Sequence, residues 1–190
     1  RHDVGLAGGI CQVSTTLFNA AVYANLKIEK RQNHSMPVPY VPLGHDAAVD
    51  YGTIDLAFTN SLETPIAMSS EYVPGKLTFR ILGIADPSLK IRLESSGRRS
   101  WAVGQKTVKD PTLQPGKQKV IEKGSAGYSI NTFRVIIKDG KIVKRESLGN
   151  SHYRGAQRIV AVGSAKPKND VVDEGGQDEP VSPVDGVIPP

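Results

Sequence analysis

Cys11 is the residue whose type and setting best suit chemistry, because it is the only cysteine among 190 residues and follows two glycines. A helix-period apolar segment begins directly after Gly8 and Gly9, so the thiol is expected in the first turn of a helix. Unpaired N–H groups at that position carry partial positive charge, which stabilises a thiolate relative to a thiol. The pattern therefore indicates either a nucleophilic cysteine or a buried cysteine that packs as a small hydrophobe.

A thiolate nucleophile needs a base to accept its proton and a third group to orient that base. His34 and His45 are the candidate bases, and Asp46 and Asp50 are the candidate orienting groups. Each histidine is alternatively a surface or hydrogen-bonded residue with no role as a base. The sequence thus contains the residue types of a Cys-His-Asp site without fixing which of them meet.

The residues around Cys11 are candidates for binding a substrate. Gly8 and Gly9 permit a ligand to approach the backbone closely. Gln12 and the hydroxyls of Ser14 and Thr15 offer hydrogen bonds to a carbonyl or a sugar hydroxyl. The two hydroxyls alternatively satisfy free N–H groups of the first helical turn.

A metal centre is a further possibility for the same cysteine. Cys11 with His2, His34 or His45 would supply sensible zinc ligands. No paired spacing such as C-x-x-C or H-x-x-x-H supports this interpretation. We therefore expect no metal site, and no cofactor is indicated either.

Three elements must position these residues. An apolar stripe at three- and four-residue steps predicts a helix that starts at the cysteine. The stripe comprises Val13, Leu17, Ala20, Ala21 and Ala24, widened by Phe18 and Val22. Pro37, Pro39 and Pro42 exclude regular helix and predict an extended path that carries His34. Alternating apolar residues between turn signals predict a three-stranded antiparallel meander over residues 53–83.

The first part of the chain resembles a known family at several motifs. Residues 8–21, GGICQVSTTLFNAA, closely resemble the core motif of VanW-family domains, and residues 34–49, 55–60 and 65–66 look like its later blocks. The resemblance covers residues 1–83, and it implies a cell-envelope protein of mostly Gram-positive bacteria, associated by name with vancomycin resistance. It implies no particular reaction.

The resemblance also bears on the choice of catalytic candidates. The family pattern shares a histidine at position 34, whereas it usually has arginine where this chain has His45 and glycine where it has Ala7. We therefore choose Cys11, His34 and Asp46 as the candidate catalytic set. Because the chain enters the motif almost at once, we expect the front of this domain, with any signal or anchor, to lie upstream.

The second half of the chain is rich in lysine, punctuated by glycine and alternating in hydrophobicity, which predicts a separate β module over residues 88–164. Hairpin signals occur at Pro115-Gly116 and Asp139-Gly140. Residues 107–116, 120–127 and 134–141 strongly resemble the G-five domain, named for its spaced glycines, with Gly163 in the closing position. That resemblance implies an extracellular module for which glycan binding has been proposed.

The aromatic residues of this module are its candidate glycan contacts. Trp101, Tyr128 and Tyr153 offer ring faces that could stack on an amino sugar such as N-acetylglucosamine. Of these three, Trp101 and Tyr128 are the candidate glycan-binding pair. Packing within a small β module is the alternative role of these rings.

Composition fits two modest domains, with 38% hydrophobic and 6% aromatic residues. No apolar run is long enough to span a membrane. Residues 165–190 are acidic, rich in proline and without periodicity, so we expect a disordered tail. The net charge of +5 is dispersed and accompanied by no nucleic-acid motif, so we expect no nucleic-acid partner.

These observations predict an α+β first domain with one cysteine-led helix, an extended proline-rich segment and a meander, then an all-β module with an extended sheet. Two functions remain open. The one we favour is an extracellular, envelope-associated protein that binds or organises peptidoglycan through an N-acetylglucosamine-containing glycan. The alternative is a cysteine-dependent acyl-transfer enzyme of the amidase, peptidase or transpeptidase type that acts on wall peptides.

Overall fold

The computed structural model describes residues 8–164, which are mostly β-structure with a single short helix in that range. The elements are α1 (Ile10–Tyr23), β1 (Lys27–Lys30), β2 (Ala57–Thr59), β3 (Ala67–Val73), β4 (Lys76–Leu82), β5 (Leu89–Trp101), β6 (Gln105–Asp110), β7 (Gln118–Glu122), β8 (Gly127–Lys138), β9 (Lys141–Tyr153) and β10 (Arg158–Gly163). The predicted disordered tail lies outside the described residues. Within residues 8–164, no helix has the length and apolar character needed to cross a membrane.

Helix α1 starts where the glycine pair predicts. Gly9 is its N-cap, so Cys11 lies in the first turn. At the other end, Asn25 adopts a positive φ of 59°. The Leu26 N–H donates to the Ala21 carbonyl and the Asn25 N–H to Val22, a pattern that closes the last turn.

The buried face of α1 differs from the predicted stripe. Its buried residues are Ser14, Thr15, Phe18, Ala21 and Val22, whereas Val13 is 41% exposed. The stripe was misplaced because two hydroxyl residues are buried through hydrogen bonds to the backbone of Ala47. Hydropathy alone scores such residues as exposed.

The meander predicted over residues 53–83 is not formed as one sheet. Strand β2 pairs antiparallel with β1, next to the helix, instead of with β3. Strands β3 and β4 form a separate hairpin, as the alternating pattern predicts. The apolar alternation identifies strands but does not encode their partners, so the pairing prediction was wrong.

The longest strands of the second half form a three-stranded antiparallel sheet in the order β5-β8-β9, which we call the long sheet. Strands β8 and β9 are joined at Asp139 and Gly140, whose φ values are 50° and 77°. Two consecutive positive φ values are typical of the tight hairpin turn that this dipeptide predicts. A second sheet, in the order β6-β10-β7, contains a parallel β6–β10 pair.

The main hydrophobic core lies where α1 meets the long sheet. Phe18, Val22 and Ala47 pack against Leu93 of β5. The side chains of Ile28, Leu56, Ile91 and Leu148 complete this cluster. The core therefore draws on residues from both sides of the domain boundary near residue 83, which itself stays a prediction.

Candidate active site

Asp46 is the centre of the candidate site, and its side chain is 1% exposed. Its Oδ2 atom accepts from the backbone N–H and from Nδ1 of His34, both at 2.7 Å. Its Oδ1 atom accepts from the Tyr153 hydroxyl at 2.5 Å and from Arg31 at 3.3 Å. We call Asp46, His34, Arg31, Tyr153 and Ser151 the Asp46 cluster.

Arg31 fixes the backbone around this carboxylate. Its guanidinium donates to the carbonyl of Asp46 at 2.7 Å, to the carbonyl of Gly44 at 2.9 Å and to the Ser151 hydroxyl at 2.8 Å. Burial lowers the pKa of Arg31, while the neighbouring Asp46 and Tyr153 act in the opposite direction. Every buried polar side-chain atom of the described residues has a hydrogen-bond partner, so this charged pair is fully bonded.

His34 presents its second nitrogen away from Asp46. With a proton on Nδ1 for the Asp46 bond, Nε2 has a free lone pair, the form required of a general base. The Tyr40 hydroxyl lies 3.4 Å from Nε2. Burial raises the pKa of Tyr40, an interaction with the Thr15 side chain lowers it, and Cys11 and Asp46 raise it further. The Tyr40 hydroxyl therefore lies beside His34 and is influenced electrostatically by Cys11 and Asp46.

Cys11 lies in the first turn of α1 and is partly buried. Its thiol donates to the carbonyl of Val49 at 3.5 Å. The hydrogen bonds of the His34 ring are to Asp46 and Tyr40, so the thiol and the imidazole are not directly bonded. The structure thus joins His34 to Asp46 and bonds Cys11 to the Val49 carbonyl instead.

Residues 44–49 hold the carboxylate and the Val49 carbonyl against the helix. The hydroxyls of Ser14 and Thr15 donate to the Ala47 carbonyl at 2.6 Å and 3.1 Å. The Asn19 side chain donates to the carbonyl of His45 at 2.8 Å. Ser14 and Thr15 were predicted to bind substrate, and here they connect α1 to this segment.

A groove of about 900 Å³ lies between the first turns of α1 and the β3–β4 hairpin. Gly9 and Gln12, two predicted substrate-binding residues, line it together with Tyr40. Gly8 is exposed at the start of the helix. Tyr40 therefore connects the groove with the imidazole of His34.

The alternative catalytic residues lie in different surroundings. The backbone of His45 bonds to Asn19, and burial, with help from Arg31, lowers the pKa of its imidazole. Asp50 is exposed and accepts from the Thr53 hydroxyl at 2.7 Å. The geometry therefore favours His34 and Asp46 as a base and its orienting group.

The three aromatic residues considered for glycan binding occupy different environments. One face of Trp101 stacks on His152, with ring centroids 4.7 Å apart. Arg98 lies over the Tyr128 ring at 4.5 Å. Tyr153 is 1% exposed and bonded to Asp46, so it is not available to a sugar.

Sequence reasoning missed Arg31, Ser151 and the true role of Tyr153. These residues are separated from Asp46 by 15 to 107 positions along the chain. No local motif indicates such contacts. The one available signal is position, since Arg31 directly follows a short strand and Tyr153 is the last residue of a long one. Among residues 8–164, no group of three metal-ligating side chains is close enough to hold an ion, and His2 lies outside that range.

Comparison with known proteins agrees with the two resemblances. The family model described as "VanW like protein" matches residues 1–82, and the model described as "G5 domain" matches residues 98–165. A curated relative, the uncharacterized protein YoaR of Bacillus subtilis (strain 168), is 47% identical over 73 residues. That match covers 38% of this chain and only 24% of the relative.

Two solved structures are similar to the second half of the chain. One is titled "IgA1 Protease G5 domain structure", with 24% identity, a TM-score of 0.32 and coverage of 43% of this chain and 96% of that one. The other is titled "Crystal structure of HP0197-G5", with 21% identity, a TM-score of 0.24 and coverage of 40% and 97%.

The two family matches leave residues 83–97 between them, and β5 begins in this interval. Together they support assignment to the class of cell-wall-associated proteins. The chain therefore contains a VanW-like domain over residues 1–82, followed by a G5 domain over residues 98–165.

Proposed function

We propose that this chain is the cysteine-dependent acyl-transfer part of an extracellular cell-wall protein, and that it acts on amide bonds of wall peptides. The observation that carries the proposal is the 2.7 Å bond between His34 Nδ1 and the buried carboxylate of Asp46. A carboxylate in this position fixes the tautomer of a base and stabilises the imidazolium that forms during reaction. The two domain matches support the wall as the source of substrate.

In the proposed reaction, His34 accepts the proton of the Cys11 thiol, and the sulfur attacks the carbonyl carbon of a peptide amide. The carbon–nitrogen bond then breaks as His34 returns the proton to the leaving amine, and the acyl group stays on Cys11 as a thioester. Water releases this group as a carboxylic acid, or an amine accepts it as a new amide. Either route regenerates the thiol, and the water or the amine is the only further reactant.

The described geometry differs from a reactive one, because the thiol and the imidazole are not bonded to each other. The Cys11 thiol must leave the Val49 carbonyl, 3.5 Å away, and turn toward Tyr40 and His34. Catalytic hydrogen bonds are often long or unformed before substrate binds. A peptide in the groove would occupy the space beside Gly9, Gln12 and Tyr40, and the thiol would have to turn toward it from the neighbouring position of α1.

Intact-protein mass spectrometry with a muropeptide mixture from purified peptidoglycan tests the reaction. We expect an acyl adduct on the unaltered chain, none on Cys11→Ala, and adduct formation slowed roughly 100-fold or more in His34→Gln, because general-base catalysis contributes on the order of 10²–10⁴. His45→Gln is the matched control and should react normally. Absence of any adduct on Cys11, or equal rates for His34→Gln and the unaltered chain, contradicts the proposal.

Non-catalytic binding of peptidoglycan is the second candidate. It is favoured by the bond from the Cys11 thiol to Val49, which is the behaviour of a structural cysteine. The ligand would be an N-acetylglucosamine-containing glycan, with the exposed part of Trp101 as a contact. Association with vancomycin resistance and with Gram-positive bacteria remains a prediction from the family resemblance.

Co-sedimentation with purified cell wall separates the two candidates. Under the binding hypothesis, the chain sediments with the wall, Cys11→Ala sediments equally, and no adduct forms. Trp101→Ala should then weaken sedimentation, with Tyr51→Ala as control because Tyr51 is fully exposed in a turn of the other domain. If the chain stays in the supernatant, wall binding is excluded.

A further inference from the structure

The contacts of Asp46 come from two distant parts of the chain. His34 and Arg31, which donate to Asp46, belong to the VanW-like domain. Tyr153, which also donates to Asp46, and Ser151, which accepts from Arg31, lie at the end of β9 in the G5 domain. The side chains of Tyr153 and Ser151 are 1% and 0% exposed. The carboxylate that orients His34 is therefore held in part by residues outside its own domain.

The Tyr153 hydroxyl has a defined direction. It accepts the backbone N–H of Gly44 at 2.7 Å, so its own proton is directed to Asp46 Oδ1. Burial and the bond to Asp46 raise the pKa of Tyr153 to about 12, so the hydroxyl keeps its proton at neutral pH. The Oδ1 atom is thereby occupied, and Oδ2 is left for the two N–H groups of His34.

Two further hydroxyls act from the same face of the long sheet. Ser151 and Tyr153 are alternate residues of β9, so their side chains point to one face of the sheet. On β8, Ile130 pairs with Ser151, and Thr132 lies two positions after Ile130, so Thr132 points to that same face. Ser151 accepts from Arg31, and Thr132 donates to the Gly44 carbonyl at 2.9 Å. Thr132 is fully buried.

Gly44 shows how closely the two domains approach each other. It has a φ of 89°, which favours glycine, and a Cβ atom there would overlap the Thr132 hydroxyl. The backbone that leads into Asp46 thus lies directly on the G5 strands. This approach leaves no room for the sheet to shift without moving the carboxylate.

We propose that Tyr153, Ser151 and Thr132 are positioning residues for the His34–Asp46 pair, so that the G5 domain completes the site of the VanW-like domain. The inference rests on the proposed function only in treating His34 as a base. The charged or titratable groups around the pair are Arg31, Tyr40 and Tyr153, with His45 and Cys11 further out. All three act through Asp46, Arg31 or the backbone of Gly44.

NMR of the full chain labelled with ¹⁵N in histidine tests this inference without any reaction. In the unaltered chain, His34 should carry its proton on Nδ1, with a slowly exchanging signal. Tyr153→Phe removes one hydroxyl and should speed exchange of that proton at least tenfold, giving a mixture of tautomers. Tyr51→Phe is the control, since that side chain is fully exposed, and it should leave the His34 signals unchanged.

Unchanged His34 signals in a folded Tyr153→Phe chain overturn the inference. Should that variant lose its folded amide spectrum, Ser151→Ala decides, because it removes the hydroxyl that accepts from Arg31 and lies beside Tyr153, while the Tyr153–Asp46 bond itself stays in place. Faster exchange of the His34 proton supports the proposal, and an unaltered rate contradicts it.

The reaction gives a separate readout. If Tyr153→Phe alters the His34 signals but the unaltered chain forms no adduct on Cys11, the positioning role stands and the proposed function fails. If the unaltered chain forms the adduct, and Tyr153→Phe forms it at the same rate with unchanged His34 signals, the proposed function stands and the positioning role fails. A true positioning role slows adduct formation at saturating muropeptide about tenfold or more, with little change in the concentration needed for half-saturation.

Discussion

The Asp46 cluster and the outer β6-β10-β7 sheet are held together in opposite ways. Around Asp46, charged and hydroxyl side chains are buried and bonded to one another. In the outer sheet, Val120 and Ile121 are 44% and 54% exposed, and only Val160 and Ala161 are buried. A Cβ atom on Gly163 would overlap the backbone of Gln114, so the end of β10 approaches the turn between β6 and β7 closely at a glycine.

This difference separates two kinds of sensitivity to mutation. Removing one member of a buried polar cluster leaves its partners unpaired, which costs more than the lost contact. A sheet with few buried side chains tolerates side-chain truncation but not an added atom at a close approach. Near Asp46, the largest losses of stability should therefore come from substitutions that delete side-chain groups. In the outer sheet, they should come from substitutions that add a side chain at a glycine.

The largest effect should come from Asp46→Asn. It leaves the buried Arg31 guanidinium without its carboxylate, so the free energy of unfolding should fall by about 3–5 kcal/mol. Urea denaturation followed by circular dichroism measures this loss. Asp50→Asn, four residues away and exposed, should leave the midpoint almost unchanged. Equal midpoints for the two variants would remove the distinction between the regions.

Gly163→Ala should have the next largest effect. The added methyl group meets the Gln114 carbonyl, and such overpacking costs about 1–3 kcal/mol. Gly104→Ala is the matched control, because no atom lies within 4 Å of its Cβ position and its φ is not in the left-handed region. A smaller midpoint loss for Gly163→Ala than for Gly104→Ala would show that the sheet is not held by this approach.

Alkaline pH should lower the free energy of unfolding through Tyr153, which belongs to the Asp46 cluster and not to the outer sheet. An ordinary tyrosine has a pKa near 10, and burial raises that of Tyr153 to about 12. Between these values the unfolded chain loses the proton first, so the free energy of unfolding falls as pH rises from about 10 to 12. The slope should be reduced in Tyr153→Phe and kept in Tyr51→Phe. Equal slopes in all three chains would argue against a buried neutral hydroxyl.

The smallest effect should come from the exposed Arg80–Glu71 pair of the β3–β4 hairpin. Both side chains are more than half exposed, and such pairs contribute little because water and salt screen them. Glu71→Gln should shift the unfolding midpoint less than any substitution above, and high salt should remove the shift. A loss as large as that of Gly163→Ala would show that this hairpin supports the fold more than its exposure suggests.

The sequence predicted those parts of the site that depend on neighbours along the chain. The glycine pair before Cys11 predicted the start of α1, and the Asp139-Gly140 dipeptide predicted the β8–β9 turn. Local backbone preference is sufficient for features of this kind.

Features that depend on distant partners were not predictable. The assignment of β2 to a meander was wrong, since its pairing with β1 is decided across an intervening segment of more than twenty residues. The burial of Ser14 and Thr15 was missed because their partner, the Ala47 carbonyl, is supplied by another segment. Hydrophobic periodicity contains no information about such acceptors.

The sequence by itself determined where the helix starts, which residues could form a Cys-His-Asp site, and that two domain types follow one another. Only the tertiary structure decided that His34 is bonded to Asp46, that Cys11 is bonded to Val49, and that Tyr153 reaches the carboxylate from 107 positions away. The physical reason is that a buried charge must find every hydrogen-bond partner available in space. Those partners are set by how the sheet packs on the helix, not by their position along the chain.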